Sequence, residues 1–394
     1  MKVLITDASS LHTLAILRYL SKESIDTFVI RKNKLDVSCY SKYCKGSFIA
    51  PSSEDEKTYI NFILKILAQE KFDILMPVSY FATAIAAKYK NEINKISKVE
   101  IADYDKVQIA LNKKSTYDLA EKIGVPYPKT FYPDSLDTIE RMAPNFEYPV
   151  VIKWILEVGC NIVSIVQDKK ELIKEYHKIC QKYHPSNDIL PMIQEFISTD
   201  NNEVYCLSAL YQNGKCKRIF MQKQTRNVPP TGGTTAYAES CFIPEIKKYS
   251  LELLDKLSWH GVVNIEFKLD KKNNIFKLME INPKFWASTE MALKAGVNFP
   301  YLLCQMAQGK ELEYSEEYNR NLRFHFPFSR ELQHAKGKPS SILKIIIDTL
   351  NPKVKSNIWI SDIKPNLIEL GMYLGLIIIP KRFKSIIKSL LRMK

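Results

Sequence analysis

An α/β domain followed by an α+β region is the architecture this sequence predicts, and three observations predict it. Short apolar strands alternate with helical patterns over about the first hundred residues, which argues for a doubly wound parallel sheet. Further strands rich in β-branched and aromatic residues follow at 148–153, 193–197 and 203–211. Residues 261–286, GVVNIEFKLDKKNNIFKLMEINPKFW, then read as two strands, 262–269 and 275–281, joined by a polar turn, which is a hairpin signal.

In chain order, residues 1–5 form a short strand, 6–10 a small polar turn, 11–20 a helix and 27–30 a second strand. A helix at 61–69, a strand at 73–77 and a helix at 81–90 complete the alternation. Asp7, Ser9 and Ser79 follow strands, at the sheet end where ligands commonly bind, although turn and cap roles explain each one singly. No G-x-G-x-x-G follows the first strand, and no G-x-x-x-x-G-K-[ST] is present, so those phosphate-binding loops have no support. Ser115 or Thr116 is placed to cap a short helix that Gly124 ends and Pro126 and Pro128 cannot continue. Lys113 precedes that helix, and Lys153 ends the strand 148–153. Residues 222–237, with Pro229-Pro230 and Gly232-Gly233, are predicted to be a mobile loop, and 287–296 a helix.

The hairpin carries the chemistry. Side chains alternate faces along a strand, so Asn264 shares a face with Glu266, and Glu280 with Asn282. If even positions pair with even, both carboxylates point the same way, whereas a one-residue slip separates them. Paired acids on one face are costly to bury without a cation, and such hard oxygen ligands suit Mg²⁺ beside substrate phosphates. A half-exposed hairpin with a solvated polar face is the competing reading.

A chain of 394 residues, 46% hydrophobic, has room for two or three domains with a substantial core. Its eight cysteines are scattered without a C-x-x-C pair, the pattern of reduced packing residues in a cytoplasmic protein. The start, MKVLITDASS, lacks the form of a secretion signal, and no stretch is long enough to span a membrane. Of the formal charge of +14, a net +9 lies in residues 336–394. A basic tail favours anionic partners without informing the chemistry upstream.

Taken together, the order of pieces resembles the ATP-grasp superfamily, in the branch similar to carbamoyl phosphate synthase and biotin carboxylase. The resemblance rests on Lys113 before a helix ending in Gly124-Val125-Pro126 and on Pro149-Val150-Val151-Ile152-Lys153. It continues with Gln194-Glu195-Phe196-Ile197, Glu266 and Glu280-Ile281-Asn282-Pro283, and covers roughly residues 1–310. It implies a pre-ATP-grasp domain at 1–103 and an ATP-grasp domain of two subdomains at 104–310, with the small subdomain at about 112–193. Residues 311–394 are then a basic C-terminal extension, in which 359–365 (WISDIKP) weakly resembles a segment near the ends of some of these ligases.

The resemblance also implies roles. Lys113 and Lys153 reach the phosphates of ATP. Gln194, by its side chain, and Glu195 and Ile197, by backbone groups, hold the adenine, while Glu203 contacts the ribose. Glu266, Glu280 and Asn282 hold Mg²⁺, for which Mn²⁺ is a substitute. The implied activity is ligation: a carboxylate is activated as an acyl phosphate and attacked by an amine or thiol, with ADP and phosphate released. Two departures bear on this. The phosphate-covering loop, 154–161, has only Gly159, and Lys284 stands where the family has an arginine after Asn-Pro. Arg226, in the predicted loop, becomes the candidate for gripping a substrate carboxylate or the acyl phosphate, with a plain surface arginine as the competing reading, and Lys284 stands beside the reacting groups.

A phosphotransferase of the same fold and a nucleotide-binding, membrane-associated protein with weakened catalysis are the alternatives. Residues 381–394 place Phe383, Ile386, Ile387, Leu390 and Leu391 at helical spacing among basic residues. That pattern suits peripheral contact with the anionic inner membrane surface, or a helix docked on the protein itself. Small-molecule carboxylate and amine substrates are expected and nucleic acid is not; oligomeric state leaves no signature.

Overall fold

The computed structural model describes residues 1–51, 55–156, 163–185, 190–199 and 203–378. Residues 381–394 and most of the glycine-poor stretch 154–161 lie outside the described residues.

Strands β1 (Lys2–Ile5), β2 (Asp26–Arg31), β3 (Cys44–Ile49) and β4 (Ile74–Met76) form a four-stranded parallel sheet in the order β3-β2-β1-β4. The predicted doubly wound sheet is therefore present, with β3 as the strand that the sequence pattern did not reveal. Its burial alternates between half-buried and exposed, as expected of an edge strand lacking a sustained apolar run. The order reverses between β1 and β4, where Ser79 N–H donates to Asp7 Oδ2 at 3.2 Å and Val78 N–H to Thr6 Oγ1 at 2.9 Å. Ligand crevices form at such a switch point.

A second, antiparallel sheet of β5 (Thr130–Phe131), β6 (Val150–Lys153), β7 (Val163–Val166) and β8 (Met192–Glu195) runs in the order β5-β8-β6-β7. The third sheet comprises β9 (Val204–Gln212), β10 (Lys215–Val228), β11 (Thr234–Ser240), β12 (Gly261–Asp270), β13 (Ile275–Asn282), β14 (Arg323–His325) and β15 (Val354–Ser356). Its order is β13-β12-β9-β10-β11-β14-β15. Tyr211, Trp259, Val263 and Phe267 on or beside this sheet share one buried cluster with Leu75, Ile85 and Val107 of the N-terminal part.

Three local expectations are corrected. Residues 222–237 are mostly strand: the Pro and Gly signals mark only the turn at 229–233, and the flanking residues are largely buried in β10 and β11. Gly233 is required there, because a Cβ would meet Val228 O at 2.4 Å. The helix after Lys113 runs Lys113–Ile123 and is capped by Asn112, whose side chain accepts from Ser115 N–H at 3.2 Å, rather than by Ser115 or Thr116. Lys113 is thus the first helical residue and not a flanking one. Residues beyond 311 are built into the body: β14 pairs with β11, and Arg18 and Asp362 form an ion pair at 2.8 Å with both side chains buried. Among the described residues no helix is long and apolar enough to cross a membrane.

Candidate functional site

The pairing of β12 with β13 places Asn264 opposite Asn282 and Glu266 opposite Glu280. Even positions face even at this end of the hairpin, so the carboxylates share a side. A bulge follows at once: Phe267 pairs with Leu278, leaving Met279 as the extra residue, and toward the turn Lys268 faces Lys277. Tyr117 anchors the bulge by donating from its hydroxyl to Met279 O at 2.7 Å. The even-with-even register, left open by the sequence, is the one adopted where the acids lie, and it is broken just beyond them, where bulges beside functional groups are common.

Directly opposed side chains have Cβ atoms about 5 Å apart, and two anions at that distance repel by about 3 kcal/mol at an effective dielectric of 20. The site bears the marks of that repulsion. Burial, followed by the charge of Glu280, pushes Glu266 up to about 8. Glu280 is held below the usual carboxylate range despite its burial, by Lys113 foremost, then by Asn282 and Lys153. Asn282 Nδ2 donates to Glu280 Oε1 at 2.9 Å and to Glu266 Oε1 at 3.3 Å. Asn264 Nδ2 donates to Glu266 Oε1 at 3.2 Å, and Ser208 Oγ to Asn264 Oδ1 at 2.9 Å. Two opposed carboxylates, one of them raised by burial and by the other's charge, suit a divalent cation placed between them.

Both predicted lysines converge on this pair. Lys113 Nζ lies 3.3 Å from Glu280 Oε2. Lys153, at the end of β6, donates to Gln194 Oε1 at 2.8 Å. Burial and the neighbouring Lys113 and Lys268 charges lower its ammonium to about 7, a group in need of an anion. Gln194 is buried, and its Nε2 donates to Tyr117 Oη at 3.0 Å and Thr130 Oγ1 at 2.9 Å. Its side chain thus positions Lys153 in this structure, which is a different task from the adenine contact that the resemblance implies. Glu195 is paired with Lys277 at 2.8 Å, and its N–H donates to Lys129 O at 2.8 Å. Ile197 is buried, and Glu203 is paired with Lys223 at 2.8 Å.

The two residues expected beside the reacting groups part company. Lys284 lies over the Tyr80 ring, 4.2 Å from its centroid, and its ammonium is lowered by burial against the opposing pull of Glu280, Glu266 and Asp7. Arg226 lies in β10, not in a mobile loop. Its guanidinium is buried, reaches Glu331 at 2.9 Å through Nε and Asp348 at 2.8 Å, and stacks 4.1 Å above Tyr237. Two carboxylates already engage it, so Arg226 is not the side chain of a mobile loop that the Pro and Gly signals predict.

Other residues take up the space. Tyr80 donates from its hydroxyl to Asn282 Oδ1, tying the N-terminal sheet to the acidic hairpin. It follows Ser79 at a strand end, which was the available signal. Lys268 lies two residues beyond Glu266 on the same face, readable from the strand period alone, and burial lowers its ammonium. Arg330 had no signal. It begins the helix Arg330–Gly337 and donates to Thr235 O and Ala287 O at 3.0 Å each. Among the described residues no carboxylate forms an ion pair with it; burial lowers it to about 10 against the opposing charges of Glu369 and Glu290. The charges of Lys284 and Arg330 both bear on His12, which burial foremost holds well below its ordinary value. His12 Nδ1 is buried without a partner among the described residues.

A family model described as ATP-grasp in the biosynthetic pathway with Ter operon matches residues 217–326. A D-aspartate ligase of Enterococcus faecium is 24% identical over 281 residues, 66% of this chain and 65% of that ligase. The chain thus aligns with just under two thirds of that relative's length. Among solved structures, the biotin carboxylase domain of a Hydrogenobacter thermophilus 2-oxoglutarate carboxylase, in complex with MgADP, ADP and bicarbonate, matches with a TM-score of 0.64. It is 15% identical, and the match covers 82% of this chain and 72% of that one. An L-amino acid ligase from Bacillus licheniformis matches with a TM-score of 0.61 at 17% identity, over 79% and 75% of the two chains. These likenesses carry the fold.

Proposed function

We propose that this chain, an ATP-grasp protein, is an ATP-dependent carboxylate–amine ligase. The observation that carries the reading is the opposed pair Glu266 and Glu280, with Lys113 and Lys153 converging on it. Phosphoryl transfer from ATP needs alignment and charge neutralisation more than covalent help from the protein. Lys113 and Lys153 supply positive charge for the phosphates, and Glu266, Glu280 and Asn282 would hold Mg²⁺, with Mn²⁺ as a substitute. The cation, when bound, neutralises charge on the transferring phosphoryl group.

A substrate carboxylate oxygen attacks the γ-phosphorus, and the bond to ADP breaks. The amine nitrogen then attacks the acyl carbon of the acyl phosphate, phosphate leaves with the C–O electron pair, and the amine gives up a proton. Glu195 and Ile197 are proposed to frame the adenine and Glu203 the ribose. Arg330, with Lys284 and His12 beside it, is proposed to bind the substrate carboxylate in place of Arg226. What supports this is that the buried guanidinium, among the described residues, bonds only backbone carbonyls, of Thr235 and Ala287, while Glu369 and Glu290 act on it as nearby charges that offset burial in part; an incoming carboxylate would offset more of that cost. From sequence we also propose contact of residues 381–394 with the anionic face of the inner membrane; those residues lie outside the described ones.

The reading is tested with Mg-ATP, pooled amino and organic acids, and hydroxylamine to capture acyl phosphate as a hydroxamate. Release of ADP and free phosphate with hydroxamate is expected. Phosphate retained on a product identifies a phosphotransferase instead. Arg330→Ala is expected to raise KM for the carboxylate substrate about 10–100-fold while leaving KM for ATP within twofold. Equal change in both constants would remove Arg330 from the substrate pocket.

Metal affinity should depend on pH. The proton that Glu266 keeps up to about 8 must leave when Mg²⁺ binds. Apparent Mg²⁺ affinity, measured by calorimetry without nucleotide, is expected to rise by up to about tenfold per pH unit toward pH 8 and then level off. The sign follows from a folded-state value raised above the ordinary one. For the metal-free chain, stability from this group is lost as pH rises from the carboxylate range to about 8. A flat affinity profile from pH 6 to 8 would contradict the assignment.

A further inference from the structure

The helix Ile342–Leu350 faces the protein with Ile345 and Asp348, both buried, and Asp348 is tied to Arg226 at 2.8 Å. At about 100° per residue, Ile342, Leu343, Ile346, Ile347 and Leu350 occupy one arc on the opposite side. Their exposures are 48%, 70%, 49%, 56% and 77%. An apolar arc of this breadth belongs in a core, an interface or a lipid boundary, and here it is bare. Its surroundings are cationic. Lys336, Lys338, Lys344, Lys353 and Lys355 are all exposed, and Asp348, the one acid between 336 and 355, is engaged by Arg226.

We propose that this helix docks on an anionic lipid bilayer, its apolar arc entering the headgroup boundary and the flanking lysines meeting lipid phosphates. Charge complementarity selects this occupant. A second copy of the chain would bring two sets of these lysines together. Strand β15, at the sheet edge, carries Lys355 and follows Lys353, which disfavours edge-to-edge pairing. The surface consists of described residues only and is independent of the ligase reading.

The test is co-sedimentation of the full chain with phosphatidylglycerol–phosphatidylcholine vesicles and with phosphatidylcholine vesicles alone. Binding to the anionic vesicles only, weakened by salt, is expected. Ile346→Glu with Leu350→Glu, both at exposed positions, should lower partitioning about tenfold or more, with thermal unfolding and hydroxamate formation in free solution unchanged. A Phe383→Glu, Ile387→Glu variant tests the terminal segment in parallel. The proposal is overturned if the wild type ignores anionic vesicles or binds neutral ones equally. It is also overturned if the helix variant binds like the wild type while the terminal variant does not. Loss of a sedimenting dimer without any vesicle binding would assign the face to a second copy instead.

Discussion

Glu280→Gln is expected to lower hydroxamate formation by about 10²–10³-fold, because it removes the charge on which both lysines converge. Glutamine keeps the size of the side chain and a partner for Asn282, so the hairpin register and the bulge at Met279 are retained. What disappears is the carboxylate that stays ionised in a buried setting, stabilised foremost by Lys113. Metal binding should weaken, although Glu266 would ionise more readily without a neighbouring anion, since the charge of Glu280 helps raise it. The variant therefore separates two effects: Mg²⁺ affinity becomes less dependent on pH while turnover collapses. The assay is single-turnover hydroxamate yield at saturating Mg-ATP, with thermal unfolding as the control for folding. Undiminished yield would refute the assignment of Glu280 to the reacting phosphates.

Asp362→Ala is expected to destabilise the protein by about 3–5 kcal/mol, the cost of leaving a buried charge without its partner. Arg18 is fully buried in the N-terminal helix Leu11–Lys22. Its Nε donates to Asp362 Oδ2 at 2.8 Å, and its Nη atoms to Asp362 O, Asn357 O and Asn366 Oδ1 at 2.7–3.0 Å. Asp362 also accepts from Ser41 Oγ at 2.7 Å and Lys42 N–H at 2.9 Å. Trp359 covers the pair, with the Arg18 guanidinium 5.3 Å from its ring centroid and its Nε1 donating to Glu290 at 2.7 Å. The residues 359–365 thus clasp the last part of the chain to the first. Urea unfolding of the wild type and variant measures the loss. Arg18→Met combined with Asp362→Ala should recover part of it, since a matched apolar replacement leaves no orphaned charge. A loss below about 1 kcal/mol for Asp362→Ala would show that the pair is dispensable.

The extent to which the site was readable follows from how far each signal reaches along the chain. Glu266, Glu280, Asn264 and Asn282 were readable because the strand period is local and both strands were short and apolar. Lys113 and Lys153 are legible only through the order of motifs in the family resemblance; Lys113 lies 3.3 Å from Glu280, and Lys153, bonded to Gln194, acts on Glu280 through its charge. The Pro and Gly that punctuate residues 229–233 point to a mobile loop around Arg226; yet strands β10 and β11 run into that turn, and Glu331 and Asp348, more than a hundred residues on, claim the guanidinium. Tyr80, His12 and Arg330 reach one region from three separate parts of the chain. No periodicity links them.

Local sequence set the alternation of the parallel N-terminal sheet, the acidic hairpin and which residues share a face along each of its strands, since alternation and turn chemistry act over a few residues. Folding alone settled the register that puts Glu266 opposite Glu280, its break at Met279, the capture of Arg226, the burial of Arg330 on backbone carbonyls and the clasp at Asp362. Each of these depends on charges and hydrogen-bonding groups that are distant in sequence and are brought together only when burial removes water from between them.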